Sequence, residues 1–167
     1  MTDFTVSGPH NVMTYTGKRG RLIGVQEGRA FFEDWEDLAT ERGCYVFATR
    51  AGRGYTPWYV GKATKSFKQE CFSHHKLNKY NECLVDMARC TPVLFFVVAR
   101  GARGLTGVKH ISEVEDFLIQ TAVAVNADLL NVRGTRRAEW SISGIIRSRG
   151  GRTSEAAGLF KRMFKIP

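Results

Sequence analysis

Cysteine and histidine raise the first chemical question. Cys71, His74, His75, Cys83 and Cys90 fall within twenty positions of one another, and thiolate and imidazole are the ligands that zinc favours. Structural zinc sites usually draw ligands as close doublets from two places, whereas here only Cys71 and His74 form one. A zinc module on Cys71, His74, Cys83 and Cys90 is one reading. The other is that these thiols, with Cys44, are reduced core residues of a chain without an export signal. The second chemistry is electrostatic. The chain holds 25 Lys and Arg against 16 Asp and Glu, a net charge of +9. From Val132 onward Arg133, Arg136, Arg137, Arg147, Arg149, Arg152, Lys161, Arg162 and Lys165 face only Glu139 and Glu155. Such a segment suits nucleic acid, because each neutralised phosphate releases counterions. A solvated basic face is the plain alternative.

The elements that must position these groups are legible in outline. At 167 residues the chain suits one domain with a real core. No apolar run approaches the roughly 18 residues of a membrane helix, and no signal peptide opens the chain, so a cytoplasmic location is expected. Residues 1–29 read as a β-prone arm or hairpin. "AFFEDWEDLATERG" reads as one amphipathic helix on Phe32, Trp35 and Leu38, stopped at Gly43. "CYVFAT" and "PWYVGKA" are strands joined by a glycine-rich turn. Ser66 and Gln69 have capping-box spacing at the start of a helix carrying Phe67, Cys71 and His74. "TPVLFFVVAR" is a buried strand. In "SEVEDFLIQTAVAVN" the stripe Val114, Phe117, Leu118, Thr121, Ala122 and Val125 marks a helix, with Ser112 and Glu115 again at capping-box spacing. "TSEAAGLFKRMF" reads as a basic amphipathic helix opened by Thr153 or Ser154. The order predicts an α/β (α+β) layer with a small, mainly antiparallel central sheet flanked by helices. The expected divisions are an arm (1–29), a core (30–131) and a basic extension packed on it (132–167).

Four of these pieces together resemble the GIY-YIG nuclease superfamily: "GCYVF" from Gly43 to Phe47, "WYVGKA" from Trp58 to Ala63, the helix leading to His74, and "EDFLI" from Glu115 followed by "NADLLN" ending at Asn131. The resemblance implies metal-dependent endonuclease activity, hydrolysing phosphodiester bonds of DNA in particular. Hydrolysis needs an activated water, charge stabilisation and help for the leaving oxygen. By resemblance Tyr45 is the proton acceptor or relay beside the attacking water. Tyr59 is the second motif's tyrosine, and Gly61 and Gly43 are the motif glycines. A phenol ionises near about 10, so a phenolate base needs a cation nearby, and Lys62 matches a lysine often found after the second motif. Glu115 corresponds to the single metal-binding glutamate, with water and phosphate oxygens completing Mg²⁺ or Mn²⁺ coordination. Asn131 is placed near the same site, and His74 or His75 would donate a proton or contact phosphate.

One family feature is missing. The pattern puts an arginine on the first helix, one turn before the histidine, gripping phosphate by two parallel hydrogen bonds. Gln69 or Glu70 stands there, and only Lys68 on that helix is positive. Lys68, Lys76, Arg133 or Arg136 would have to take over, or else the chain is a weakened or inactive nucleic-acid-binding relative. Losing one charge-stabilising donor costs about 10²- to 10³-fold in rate, which weakens an enzyme without abolishing it, so an active nuclease is the expectation. One centre nicks one strand at a time, and double-strand cutting would call for a homodimer.

Overall fold

In the computed structural model, residues 2–18, 20–85, 87, 89–101, 105–131, 133–135, 142–143, 145 and 153–164 are described. They fall in two compact units, Met1–Thr135 and Arg136–Pro167. The first holds an α+β layer. Its central sheet is four-stranded and antiparallel throughout, in the order β1, β6, β4, β5, where β1 is Asp3–Asn11, β4 Gly43–Ala51, β5 Gly54–Ala63 and β6 Thr91–Arg100. A small hairpin, β2 (Tyr15–Gly17) with β3 (Gly20–Leu22), stands beside it. The helices are α1 (Val25–Asp34), α2 (Glu36–Ala39), α3 (Phe67–Glu70), α4 (His74–Val85) and α5 (Leu105–Val125). Among the described residues no helix is long and apolar enough to cross a membrane.

Period-two alternation sorts the strand residues between the two faces of the sheet. Tyr45, Phe47, Tyr59, Leu94, Phe96 and Val98 point to one face and build the main core with Phe31, Phe32, Leu38, Phe67, Leu77, Tyr80 and Leu84 from α1 to α4. Phe47 and Tyr80 stack there at 4.1 Å and 14°. Val46 and Val60 point to the other face, where Ile119, Ala122 and Val123 of α5 cover them with Leu129 from beyond that helix.

Several local expectations are revised. The N-terminal segment supplies β1 as an edge strand of the main sheet, paired to β6, so the sheet reaches beyond the core expected to begin at residue 30. The single helix expected around Trp35 is two, because Trp35 leaves helical dihedrals at φ −123°, ψ 55° and stays exposed while Phe32 and Leu38 are buried. Gly43 stops no helix. It opens β4 at φ +148°, where a Cβ would collide with the Val97 carbonyl. Ser66 caps Gln69 as read (3.4 Å), but α3 lasts four residues, and His74 begins a separate helix with its side chain exposed. In α5, which starts seven residues before Ser112, the Ser112 hydroxyl donates back to the Val108 carbonyl (3.1 Å) and is no cap. The buried stripe runs through Ile111, Ile119, Ala122 and Val123, leaving Phe117 and Val125 in solvent. In the second unit, α6 (Glu155–Phe164) is capped by Ser154, whose Oγ accepts from the Ala157 amide at 3.2 Å.

Candidate functional site

Tyr45 lies on a central strand, β4, and Tyr59 on its edge neighbour β5, so both rings reach the same face with centroids 6.3 Å apart. Tyr45 pairs across the ladder with Gly61, and its ring fills the space a side chain there would take. A Cβ at Gly61 would come within 2.9 Å of Tyr45 Cε1 and closer still to Cζ and Oη. The close approach at this glycine is made by the protein's own phenol. Tyr45 is 0% exposed, and among the described residues its Oη meets no partner in hydrogen-bond geometry. The neighbouring Tyr80 hydroxyl donates instead to the Cys71 carbonyl at 2.8 Å. Burial, reinforced by the nearby Tyr80, Cys71, Tyr59 and Glu70, pushes the Tyr45 phenol well above the usual tyrosine range. A sealed neutral phenol does not serve as a proton acceptor beside an attacking water, so the role expected for Tyr45 does not match its setting.

Tyr59 is placed differently. Lys76, in the first turn of α4, donates its ammonium to the Tyr59 hydroxyl and lies 4.7 Å from the ring centroid. Lys79, one turn on, lies 5.8 Å from the same centroid and donates to the Leu130 carbonyl at 2.7 Å. The cation beside Tyr59 thus comes from α4, while Lys68 of α3 is exposed. Lys79 and Tyr80 went unrecognised in the sequence. Their only signal was i, i+3 and i, i+4 spacing from Lys76, which puts all three on adjoining stripes of one helix.

Glu115 is not brought to the phenols. It pairs with Lys62 at 2.9 Å, and the Lys62 ammonium also donates to Ser112 Oγ at 3.2 Å. Lys62 is two residues beyond Val60 and so projects to the α5 side of β5, opposite Tyr59. Cys44 on that side feels Glu115 and Lys62, and its thiol is pushed up to about 12, chiefly by burial. It donates to the Ile111 carbonyl at 3.2 Å. The single pocket expected from the motifs is therefore two half-sites on opposite faces of β5.

Asn131 is bound to the backbone of β5. Its amide accepts from the Val60 N–H (2.9 Å) and donates to the Val60 carbonyl (2.7 Å), completing both ladder bonds on the outer edge of β5. Asn126 donates to Pro57 (2.8 Å), and the Leu130 N–H donates to Trp58 (2.8 Å), so residues 126–131 zip that edge shut. Asn81 clamps the Ile23 backbone in the same two-sided way, at 2.8 and 3.0 Å.

The zinc set does not assemble either. Cys71 is fully buried while His74 is exposed, and all four cysteines are free and buried. Among the described residues no three His, Cys, Asp or Glu side chains gather to hold a metal. Glu115 offers one carboxylate, with the Lys62 ammonium already on its Oε2. As placed, these residues do not fit a divalent ion without displacing Lys62. Of the basic residues proposed for nucleic acid, Arg133 is exposed, and Arg136, Arg137, Arg147, Arg149 and Arg152 lie outside the described residues.

Comparison with family models, curated proteins and solved structures finds no match to this chain.

Proposed function

We propose that the chain is a nucleic-acid-binding protein on a GIY-YIG-like frame whose hydrolytic centre is weakened or inactive. The observation that carries this reading is the division at β5: the phenols sit on one face with Lys76, and Glu115 sits on the other, tied to Lys62. Cations accumulate along the same elements. From Arg42 to Asn81, through β4, β5, α3 and α4, the sequence holds eight Lys and Arg and one acid, Glu70; of the eight, Lys62 is taken by Glu115, and His74 and His75 are exposed. That excess suits a polyanionic partner in a protein of net charge +9.

A second reading, metal-dependent cleavage of DNA with Mg²⁺ or Mn²⁺, is favoured by the Lys76–Tyr59 contact, which sets a cation beside the second motif's phenol in a chain that lacks the family's helix arginine. It requires Lys62 to release Glu115. The test of the first reading is binding of labelled DNA and RNA followed by fluorescence anisotropy from low to high salt. The expected result is affinity that falls steeply with salt, with a Lys68→Ala/Lys76→Ala variant flattening the log–log slope by about 0.9 per lost phosphate contact on duplex DNA. Absence of binding at low salt overturns the reading.

A further inference from the structure

We infer that the exposed aromatic site at Tyr55, on the sheet face that carries α5, is a stacking platform for single-stranded nucleic acid, a substrate class within the nucleic-acid reading on which this inference rests. α5 packs on β5 and β4. Cross-strand pairing puts Phe95 opposite Val46 and Tyr55 opposite Arg50 on that face, with Val97 and Val6 paired further along β6 and β1. Tyr55 is 43% exposed and Val6 72% exposed, although the face opposite is sealed. The Tyr55 ring meets Phe95 edge to face at 5.4 Å and 80°, so it is braced rather than loose.

Charge beside the rings identifies the occupant. Arg50 is the ladder partner of Tyr55, and Arg53 is exposed in the two-residue turn just before it. The stretch from Arg42 to Gln69 has no Asp or Glu at all. A braced aromatic flanked by guanidinium groups matches how sequence-tolerant single-strand binding is built, with cations following the backbone and a ring taking an unpaired base. Paired bases keep their faces inside the duplex stack, so the same surface discriminates against double strands.

The test uses the full chain and labelled oligonucleotides of about 12 nucleotides, single-stranded and duplex, titrated over a range of salt. The expected result is tighter binding of the single strand. Tyr55→Ala should weaken it roughly tenfold with the salt slope unchanged, and Tyr55→Trp should retain binding. Arg53→Ala, in the exposed turn, should flatten the slope by about 0.7 if it holds one phosphate. Equal affinity for duplex and single strand, or a Tyr55→Ala variant that binds as the parent does, overturns the platform and leaves the nucleic-acid reading standing. No binding of either oligonucleotide overturns both.

Discussion

Gly61→Ala tests the packing that seals Tyr45. The new methyl would overlap Cζ and Oη of a ring that is 0% exposed and wedged against Phe67 (6.5 Å, 89°) and Tyr59, so neither partner can turn aside cheaply. Overpacking of this kind reaches about 3 kcal/mol. Replacing glycine by alanine within a strand returns up to about 1 kcal/mol by removing backbone freedom from the unfolded chain. The overlap wins, leaving a net loss of about 2 kcal/mol. For a unit of Met1–Thr135, with an unfolding entropy of about 2.1 cal/mol/K per residue, that lowers the melting temperature by roughly 7 °C. Thermal and urea melts followed by circular dichroism read it out. In a Tyr45→Phe background one overlapped atom is gone and the loss should shrink, because the two sites share a contact. Tyr45→Phe alone should be neutral or stabilising by about 1 kcal/mol, since it removes a buried hydroxyl without a partner. A Gly61→Ala protein that melts with the parent, or an equal loss in both backgrounds, refutes the packing argument.

Asn131→Ala removes both side-chain bonds to Val60 and should cost about 2 kcal/mol, read as a lowered urea midpoint, because β5 is left with an open edge. His10 is buried among Phe31, Trp35 and Phe96, with Nε2 on Ser7 Oγ at 2.9 Å and Nδ1 unpaired, and burial holds its pKa below the usual 6.5. Below that value the unfolded chain takes up the proton more readily than the folded one. Stability should therefore fall as pH drops through 6.5 and level off under the folded pKa, and His10→Phe should flatten the urea midpoint between pH 7 and 5. Burial raises all four thiols, Cys44 and Cys83 to about 12, so the native protein should show no fast-reacting thiol to a disulfide reagent at pH 8, and all four after denaturation.

Strands were the most legible part of the fold. The β4 and β5 runs and the whole of β6 were marked by dense β-branched and aromatic residues. Helix ends were less so. Ser112 and Glu115 have capping-box spacing, yet α5 begins earlier, and a spacing that fits a cap also fits the interior of a helix. The stripe through Phe117 and Val125 failed because α5 lies on one side of a narrow sheet, which buries a narrower arc than the apolar residues could supply. For the site, sequence set Tyr45 and Tyr59 on strands joined by a glycine-rich turn, and the ladder brings both rings to one face. Sequence could not place Glu115 relative to them, since that depends on which side of the sheet α5 packs. The edge-clamping amides of Asn126 and Asn131 were equally hidden, because they serve backbone groups that carry no sequence signature.

The most direct measurement is plasmid nicking in Mg²⁺ and Mn²⁺ by the parent chain, Tyr59→Phe and Glu115→Ala, with binding of the same DNA measured alongside. With the phenols and the carboxylate on opposite faces of β5, all three should bind, and nicking should be negligible or indifferent to both substitutions. Robust metal-dependent nicking by the parent that is lost in both variants, with binding intact, would show that Tyr59 and Glu115 share one working centre and would contradict the account.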